Sequence, residues 1–478
     1  MKILIIGATE AALAAAARLR RLDEGALIVL IDHRSNVLGL EALQGYDIDI
    51  RLDTQVIWPE VPKDSLDLKS GGNTYSENYN KLLVSYEVDK GFFPPVKSCF
   101  ANVFNLSNFD LFNSQWQEVD RFIAQNRPQT AIIRGGDMVG VLAATRLLAH
   151  GVRVNLISEE AVPSDLDRDI AGHVTKFLQS RGLRLAKSES EVVMIADIGL
   201  NCRHMPMPKP PEFAALPFGL YKTQELFVNT IVNNSFTGEA VDAPALARAK
   251  GRAAADEAVV GPLKLFKRDR SVKTTINLQF VEIFGKQLAV FGLGEKELSE
   301  QRLAYMYSIV PVADGFLKLI YDNFGKILGF TAWGRSIKQY VDIMAVTVQL
   351  GGDIYNLTTM ETLGGRALEI LGKISQNVVE KRLCVAYWDE VSEVDFERTT
   401  LLDVRNSESF EAWHIGGSLN IPLGDLRNKL VFLDGRKEII TICDTGRESY
   451  LAARILAVHV DNVRYLTGGL TYCREILG

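Results

Sequence analysis

The chain has 478 residues, 47% hydrophobic and 23% charged, the balance of an ordinary globular protein. With 53 Lys+Arg against 59 Asp+Glu the net charge is -6, which argues against a nucleic-acid or anionic-membrane surface, since either needs a basic excess. The five cysteines (Cys99, Cys202, Cys384, Cys443, Cys473) show no CxxC pair and no zinc spacing, so they exclude a disulfide framework, predict no metal site and point to the cytoplasm.

The opening, MKILIIGATEAALAAAA, superficially looks like a secretory signal. Glu10 interrupts its apolar core, and Arg18, Arg20 and Arg21 follow at once, so we read it as part of the fold. No stretch reaches the ~20 uncharged apolar residues of a membrane span. Residues 2–6 (KILII) predict a strand, Gly7 a turn, and 10–22 an Ala-rich helix; a second strand, ALIVLID, ends at Asp32. This strand–turn–helix–strand unit opens a dinucleotide-binding fold. It recurs at 130–158, where TAIIRGGDMVGVLAATRLLAHG precedes VRVNLIS. Between the two lie a polar segment (70–80) and an aromatic stretch interrupted by Pro94-Pro95, a connection. Residues 205–216 predict a Pro-rich connection and 240–260 a helix. From Thr274 to Gly334, the runs TTINLQFVEIF, QLAVFGL, GFLKLIYD and KILGFTAWG predict an antiparallel sheet. Two helical stretches run on to Val379, and after Leu383 a short α/β domain begins.

That last domain carries the clearest chemical signal. The strand EIITIC (438–443) stops at Cys443, the turn Asp444-Thr445-Gly446-Arg447-Glu448 follows, and SYLAARILAV predicts an amphipathic helix. A thiol at such a turn faces backbone N–H groups and a helix N-terminus, and both favour a thiolate. Gly446 lets the loop close, and Arg447 adds positive charge. The arrangement suits a nucleophilic sulfur or a persulfide carried on it. The alternative is a buried, inert cysteine ending a core strand. Around this turn stand LLDVRNSESFEAWHIGGSLNIPLGDLR (401–427) and YLTGGLTYC (465–473). With Asp403-Val404-Arg405, His414-Ile415-Gly416-Gly417, Asn420-Ile421-Pro422 and Gly468-Gly469 in order, 385–478 resembles a rhodanese domain, a persulfide-carrying sulfurtransferase module. The resemblance implies that Cys443 accepts sulfur and that residues 444–448 form its cradle. Arg is common at the sixth loop position in this subtype; here that position is Glu448, which disfavours thiosulfate as donor. Ser449 stands where phosphatase relatives carry Arg, so phosphatase activity is not expected. His414 is read as structural, and Cys384 and Cys473 as core or surface residues.

The front of the chain resembles coenzyme A disulfide reductases, FAD-dependent members of the pyridine nucleotide-disulfide oxidoreductase class, some of which end in a rhodanese domain. The resemblance rests on residues 3–24, 27–32, 79–96, 131–140, 161–185, the Gly-Glu-Ala of 238–240, and 318–334. It implies FAD at the first glycine turn, NAD(P)H at the second and a homodimer. The sequence departs from the pattern at the positions that do chemistry. Ala42, in SNVLGLEALQGY (35–46), occupies the place of the redox cysteine. In the second turn, flanked by Gly135 and Gly140, the middle glycine is Asp137. Like charges ~4 Å apart cost about 4 kcal/mol at an effective dielectric of ~20, so NAD(P) is not expected there. Ser158 and Glu159 stand where a ribose would bind. In the first turn only Gly7 is kept; Thr9 and Ala12 fill the other motif places, Glu10 puts a charge at the helix start, and Asp32 is placed for a ribose hydroxyl. The late flavin motif reads Gly238-Glu239, which leaves FAD retention open. Arg18, Arg20 and Arg21 resemble the basic face near coenzyme A phosphates. The stretch 360–375 lacks the aromatic residues that relatives bring to the partner's flavin.

The fold expected is α/β: a degenerate FAD-type domain (1–126 and 230–268), a degenerate NAD(P)-type domain (127–229), both Rossmann-like, an α+β dimerisation domain (269–382) and an α/β rhodanese domain (385–478). The function expected is a sulfurtransferase or persulfide carrier working through Cys443 between a sulfane-sulfur donor and a thiol acceptor. The alternatives are a FAD-dependent NAD(P)H oxidoreductase acting on coenzyme A disulfide, persulfide or polysulfide, and a non-catalytic sulfur-sensing scaffold.

Overall fold

The computed structural model describes residues 1–37, 39–57, 65–85, 102–106, 109–188, 191–192, 196–202, 225–226, 252, 255, 278–362 and 364–477. Gly238, Glu239, the Pro-rich stretch 205–216 and most of the expected helix 240–260 lie outside the described residues. The chain divides into two compact units, one drawn from Met1–Cys99, Phe104–Gln125 and Arg203–Thr275, the other from Phe100–Val103, Asn126–Cys202 and Ile276–Gly478.

The first unit is built on β1 (Lys2–Ile6), α1 (Glu10–Leu22) and β2 (Leu27–Ile31). Its parallel sheet runs Glu225–Leu226, Lys81–Val84, β1, β2, Asp49–Arg51. After Lys2 the strand is apolar without a break (ILII) because both of its faces are covered. Ile3 and Ile5 pack with Ala12, Ala16 and Leu19 of α1, while Leu4 points the other way, with Val29 and with Leu66 and Leu68 of a small antiparallel sheet. Each such aliphatic side chain contributes roughly 1.5–3 kcal/mol on full burial.

The second unit holds three sheets. In the first, four of the five strands run parallel in the order Arg184–Ala186, Arg153–Ile157, β3 (Thr130–Arg134), Ile198–Cys202, with α2 (Met138–Ala149) and α3 (Arg168–Ser180) following in sequence. The second sheet is antiparallel, as expected between Thr274 and Gly334, but has a strand that the sequence reading did not mark. Beside the strands Gln279–Ile283, Lys286–Gly292 and Ile327–Gly334 it contains β4 (Met306–Val312) and β5 (Gly315–Tyr321). Pro311 obscures β4 in the sequence and also explains its place on the sheet edge, where a missing N–H costs no ladder bond. Three helices follow rather than two: Lys338–Gln349, Ile354–Thr358 and Arg366–Val379.

The last sheet is parallel, in the order Cys384–Ala386, Val463–Leu466, β6 (Glu438–Ile442), Thr399–Asp403, Leu419–Asn420. Helices α4 (Arg447–Leu456) and α5 (Gly469–Leu477) belong to it. Its core joins Leu402, Val404 and Ile439 to Ala452, Ala453 and Leu456 of α4, and Cys443 lies within that cluster.

Candidate functional site

β6 delivers Cys443 to the point where the chain leaves the sheet. Gly446, at φ +83°, caps the start of α4, a left-handed conformation that glycine adopts without strain. The loop is held from behind by the first turn of α5. The Leu470 amide donates to the Cys443 carbonyl (2.8 Å) and the Thr471 amide to the Asp444 carbonyl (2.9 Å). At Gly469 a Cβ would lie 2.4 Å from both the Asp444 oxygen and the Gly446 nitrogen, so the approach tolerates only glycine.

The sulfur itself is buried, the residue being 1% exposed. Its Sγ accepts the Ser449 amide at 3.2 Å and faces the Ser449 hydroxyl at 3.4 Å. That hydroxyl donates to the Gly446 carbonyl at 3.0 Å, so its oxygen is open to the thiol proton. Among the described residues no hydrogen bond takes the amides of Asp444, Thr445, Arg447 or Glu448. These are the donors an anionic sulfur would use at a helix N-terminus.

The charges around the loop are mixed. Buried Arg405 donates to both oxygens of buried Asp403, to the Trp413 carbonyl (2.7 Å) and to Asp444 Oδ1 (3.0 Å). Burial alone would lower its basicity, but Asp403 and Asp444 hold the guanidinium charged, above its ordinary value. Arg447 and Glu448 are exposed on the first turn of α4. His414 has the structural place expected of it: Nδ1 meets the Phe410 carbonyl at 2.9 Å, and the rings stack at 4.0 Å. Cys473 is buried, and burial together with Asp169 and Asp389 pushes its thiol up to about 12. Cys384 is exposed.

The structure therefore brings Cys443, Asp444, Thr445, Gly446, Arg447 and Glu448 into one loop. The sequence reading missed Ser449, which supplies two of the groups around the sulfur. Its signal was its position one turn into the helix, where an amide and a hydroxyl reach back to the loop.

The first nucleotide-type turn keeps its backbone but has engaged its polar groups. Gly7 (φ +88°) donates to the Ile31 carbonyl, and Thr9 caps α1, accepting from the Ala12 amide at 3.3 Å and meeting the Ser85 hydroxyl at 2.6 Å. Ala12 is fully buried against the sheet. Asp32, the expected ribose acceptor, already takes the Ala8 amide (2.6 Å), the Arg34 amide (2.8 Å) and Arg34 Nε and Nη2 (both 2.9 Å). Burial would raise its carboxyl, but Arg34 and the Ala8 amide hold it below the ordinary value. A carboxylate has about four acceptor positions, so a ribose hydroxyl fits only if Arg34 withdraws. The resemblance to a basic face does not extend to Arg20. Arg20 is buried and spends its donors on the carbonyls of Glu24, Ala26, Tyr46 and Asp47, fixing loops rather than facing a phosphate. Ala42 sits in the short helical turn Leu40–Leu43.

The second turn does not fit a dinucleotide. Asp137 accepts the Gly140 amide at 3.1 Å, and Asp165 accepts the Met138 amide at 3.1 Å. Two carboxylates thus occupy the helix N-terminus where a pyrophosphate would bind. Gly135, Gly136 and Gly140 serve packing: a Cβ on Gly135 would lie 1.4 Å from the Cys202 carbonyl oxygen, one on Gly136 2.1 Å from Ser158 Oγ, and one on Gly140 2.0 Å from the Gly135 oxygen. Ser158, weighed as a ribose ligand, instead donates to the Glu160 carbonyl (2.9 Å). Cys202 is buried, and that burial, with Asp137 beside it, pushes its thiol well up.

These elements define a class: a scaffold of the pyridine nucleotide-disulfide oxidoreductase fold carrying a rhodanese-like domain. Residues 389–474 match the rhodanese-like domain family. The whole chain is similar to reduced CoADR-RHD from Bacillus anthracis, at 21% identity and a TM-score of 0.77, over 100% of this chain and 98% of that one. It is also similar to a NAD-dependent persulfide reductase from A. fulgidus, at 19% identity and a TM-score of 0.67, over 99% and 100% of the two chains. At these identities the likeness establishes the fold. Adenylyltransferase and sulfurtransferase uba4 of Ogataea parapolymorpha is 36% identical over 110 residues, 22% of this chain and 27% of that protein. The chain spans about a third or less of the length of the curated relatives it matches. No described helix is long and apolar enough to cross a membrane.

Proposed function

We propose that the protein is a rhodanese-type sulfurtransferase whose carrier is Cys443, on a reductase-like scaffold that performs no disulfide chemistry of its own. The Cys443 thiolate attacks the outer sulfur of a sulfane donor. The donor S–S bond breaks, the donor leaves as a thiolate, and Cys443 holds a persulfide. An acceptor thiolate then attacks the outer sulfur, taking it as its own persulfide and restoring the Cys443 thiolate. Sulfur moves at no net redox cost, so neither flavin nor nicotinamide enters the cycle. The thiol proton passes to solvent when the thiolate forms. The Ser449 hydroxyl, no longer needed as its acceptor, is then free to turn from the Gly446 carbonyl and donate to the sulfur.

The observation that carries this reading is the Ser449 amide on Sγ, beside loop amides of Asp444, Thr445, Arg447 and Glu448 that no other group among the described residues takes. The relation to a rhodanese-like domain and to a sulfurtransferase supports it. Ala42 in place of a redox cysteine, and carboxylates at the second nucleotide turn, argue against electron transfer through the scaffold. With Asp444 and Glu448 on the loop, the donor we favour is an organic persulfide rather than thiosulfate. We place the dimer contact in 269–382 and the protein in the cytoplasm. The test is cyanide-dependent thiocyanate release with several sulfane donors. Wild type is expected to be active and Cys443→Ser inactive; equal rates would overturn the proposal. An absorbance spectrum of protein purified without added cofactor reads flavin directly.

A further inference from the structure

Helix α5 faces two ways. Its first turn is the wall behind the sulfur loop: Leu470 and Thr471 donate to the carbonyls of Cys443 and Asp444, and Gly469 packs against the loop backbone. One residue on, Tyr472 is buried and donates its hydroxyl to Asp169 Oδ2 of α3 at 2.5 Å. Asp169 in turn accepts Lys318 Nζ of β5 at 2.7 Å, and Lys318, fully buried, also binds Asp167 (3.1 Å) and Glu295. The Tyr307 ring of β4 lies 4.7 Å from that ammonium. Around Tyr472 the rings of Phe316 and His173 lie at 4.8 and 4.5 Å. A second contact runs in parallel: the Ile309 amide of β4 donates to Thr467 Oγ1 at 2.8 Å, just before α5. A Cβ on Gly468 would come within 2.9 Å of Ile309. An ammonium sealed among three carboxylates is rigid, because moving any member leaves an uncompensated buried charge.

We infer that the reductase-like scaffold sets the geometry of the sulfur loop through α5, with Tyr472 as the positioning residue that transmits it. The inference rests on the sulfur-transfer reading above. Its physical link is the planarity of the peptide. In a trans peptide the C=O and the following N–H point opposite ways. Pinning the carbonyls of Cys443 and Asp444 on α5 therefore turns the amides of Asp444 and Thr445 away from α5, as donors for a charged sulfur. A shift of α5 releases both at once. This gives the degenerate scaffold a task that needs no cofactor: it holds the cradle in its anion-binding form.

The test uses the full chain. Tyr472→Phe removes one hydroxyl and keeps the ring against Phe316 and His173; Thr467→Val removes the parallel contact and serves if Tyr472→Phe fails to fold. For each we expect sulfur-transfer kcat to fall about tenfold, KM for the donor to stay within about twofold, and the pH profile of Cys443 alkylation to move upward, as weaker anion stabilisation requires. Wild-type kcat and an unmoved alkylation profile in both variants would overturn the inference, whatever their melting temperatures. Failure here is separable from failure of the function. If wild type and Cys443→Ser are equally active, the function falls. If activity depends on Cys443 but both variants match wild type, only the positioning role falls.

Discussion

The Ser449 hydroxyl stands 3.4 Å from Cys443 Sγ while giving its own proton to the Gly446 carbonyl 3.0 Å away. It is thus an acceptor toward a thiol and is placed to become a donor toward an anion. A hydrogen bond to a charged group contributes about 1.5–3 kcal/mol, roughly 10- to 100-fold in rate. Ser449→Ala is expected to lower sulfur transfer by that factor and to shorten the lifetime of the persulfide, read by mass spectrometry after donor treatment. Ser449→Thr, which keeps the hydroxyl, is expected to recover part of the loss.

The loop glycines separate by what surrounds them. Gly469→Ala would force a Cβ to 2.4 Å from two backbone atoms and is expected to abolish transfer and to lower Tm strongly. Gly446→Ala meets only contacts at 3.4–3.5 Å but keeps the positive φ, a cost of about 1–2 kcal/mol. Gly424→Ala has open space and no positive φ, and is expected to match wild type in both thermal melting and turnover.

Donor choice follows the exposed carboxylate on the first turn of α4. Glu448→Gln is expected to raise the rate with thiosulfate a few-fold, with less effect on a neutral polysulfide. The gain should shrink at high salt, since exposed charges are screened beyond about 8–10 Å. Salt-independent kinetics in wild type and variant would rule out this electrostatic account.

The second nucleotide turn should refuse NAD(P)H even after its most evident fault is repaired. Asp137→Gly removes one helix cap, a loss of roughly a few tenths of a kcal/mol, but leaves Asp165 on the Met138 amide. Neither wild type nor Asp137→Gly is expected to show saturable binding in a nicotinamide fluorescence titration; saturation by wild type would refute the self-capped reading.

Glu295 gives stability a pH dependence with a definite sign. Burial, with Asp169 and Asp167 nearby, pushes its carboxyl up to about 7 despite Lys318, against about 4.5 in the unfolded chain. The folded state therefore holds its proton more tightly between those values. This contribution is complete below about pH 4.5 and fades as pH rises through about 7, a loss of roughly 1–3 kcal/mol. Asp169 is shifted the other way: burial opposes its charge, but Lys318 and Tyr472 keep it ionised, so its contribution is lost only in stronger acid. Thermal melting across this range should show the decline in wild type and a flatter profile in Glu295→Gln.

What the sequence disclosed was whatever is written in local order. KILII, TAIIR and EIITI are short runs dominated by β-branched and other apolar residues, and each forms a largely buried parallel strand. The Cys443 loop was legible because its residues are consecutive and Gly446 carries the turn. What stayed hidden depends on long-range partners. Pro311 masked β4, whose tolerance for proline comes from its edge position. Arg20 looked like part of a basic helix face until two loop segments were seen to supply its acceptors. Nor does sequence spacing join Lys318 to residues about 150 positions away.

The contact between Arg34 and Asp32 bears on how the protein should be handled. An adenosine ribose seeking this carboxylate competes with a guanidinium tethered two residues away, a rival that dialysis cannot remove and whose local concentration never falls. Removing the rival, as in Arg34→Ala, is the change that would expose any latent affinity for a flavin dinucleotide.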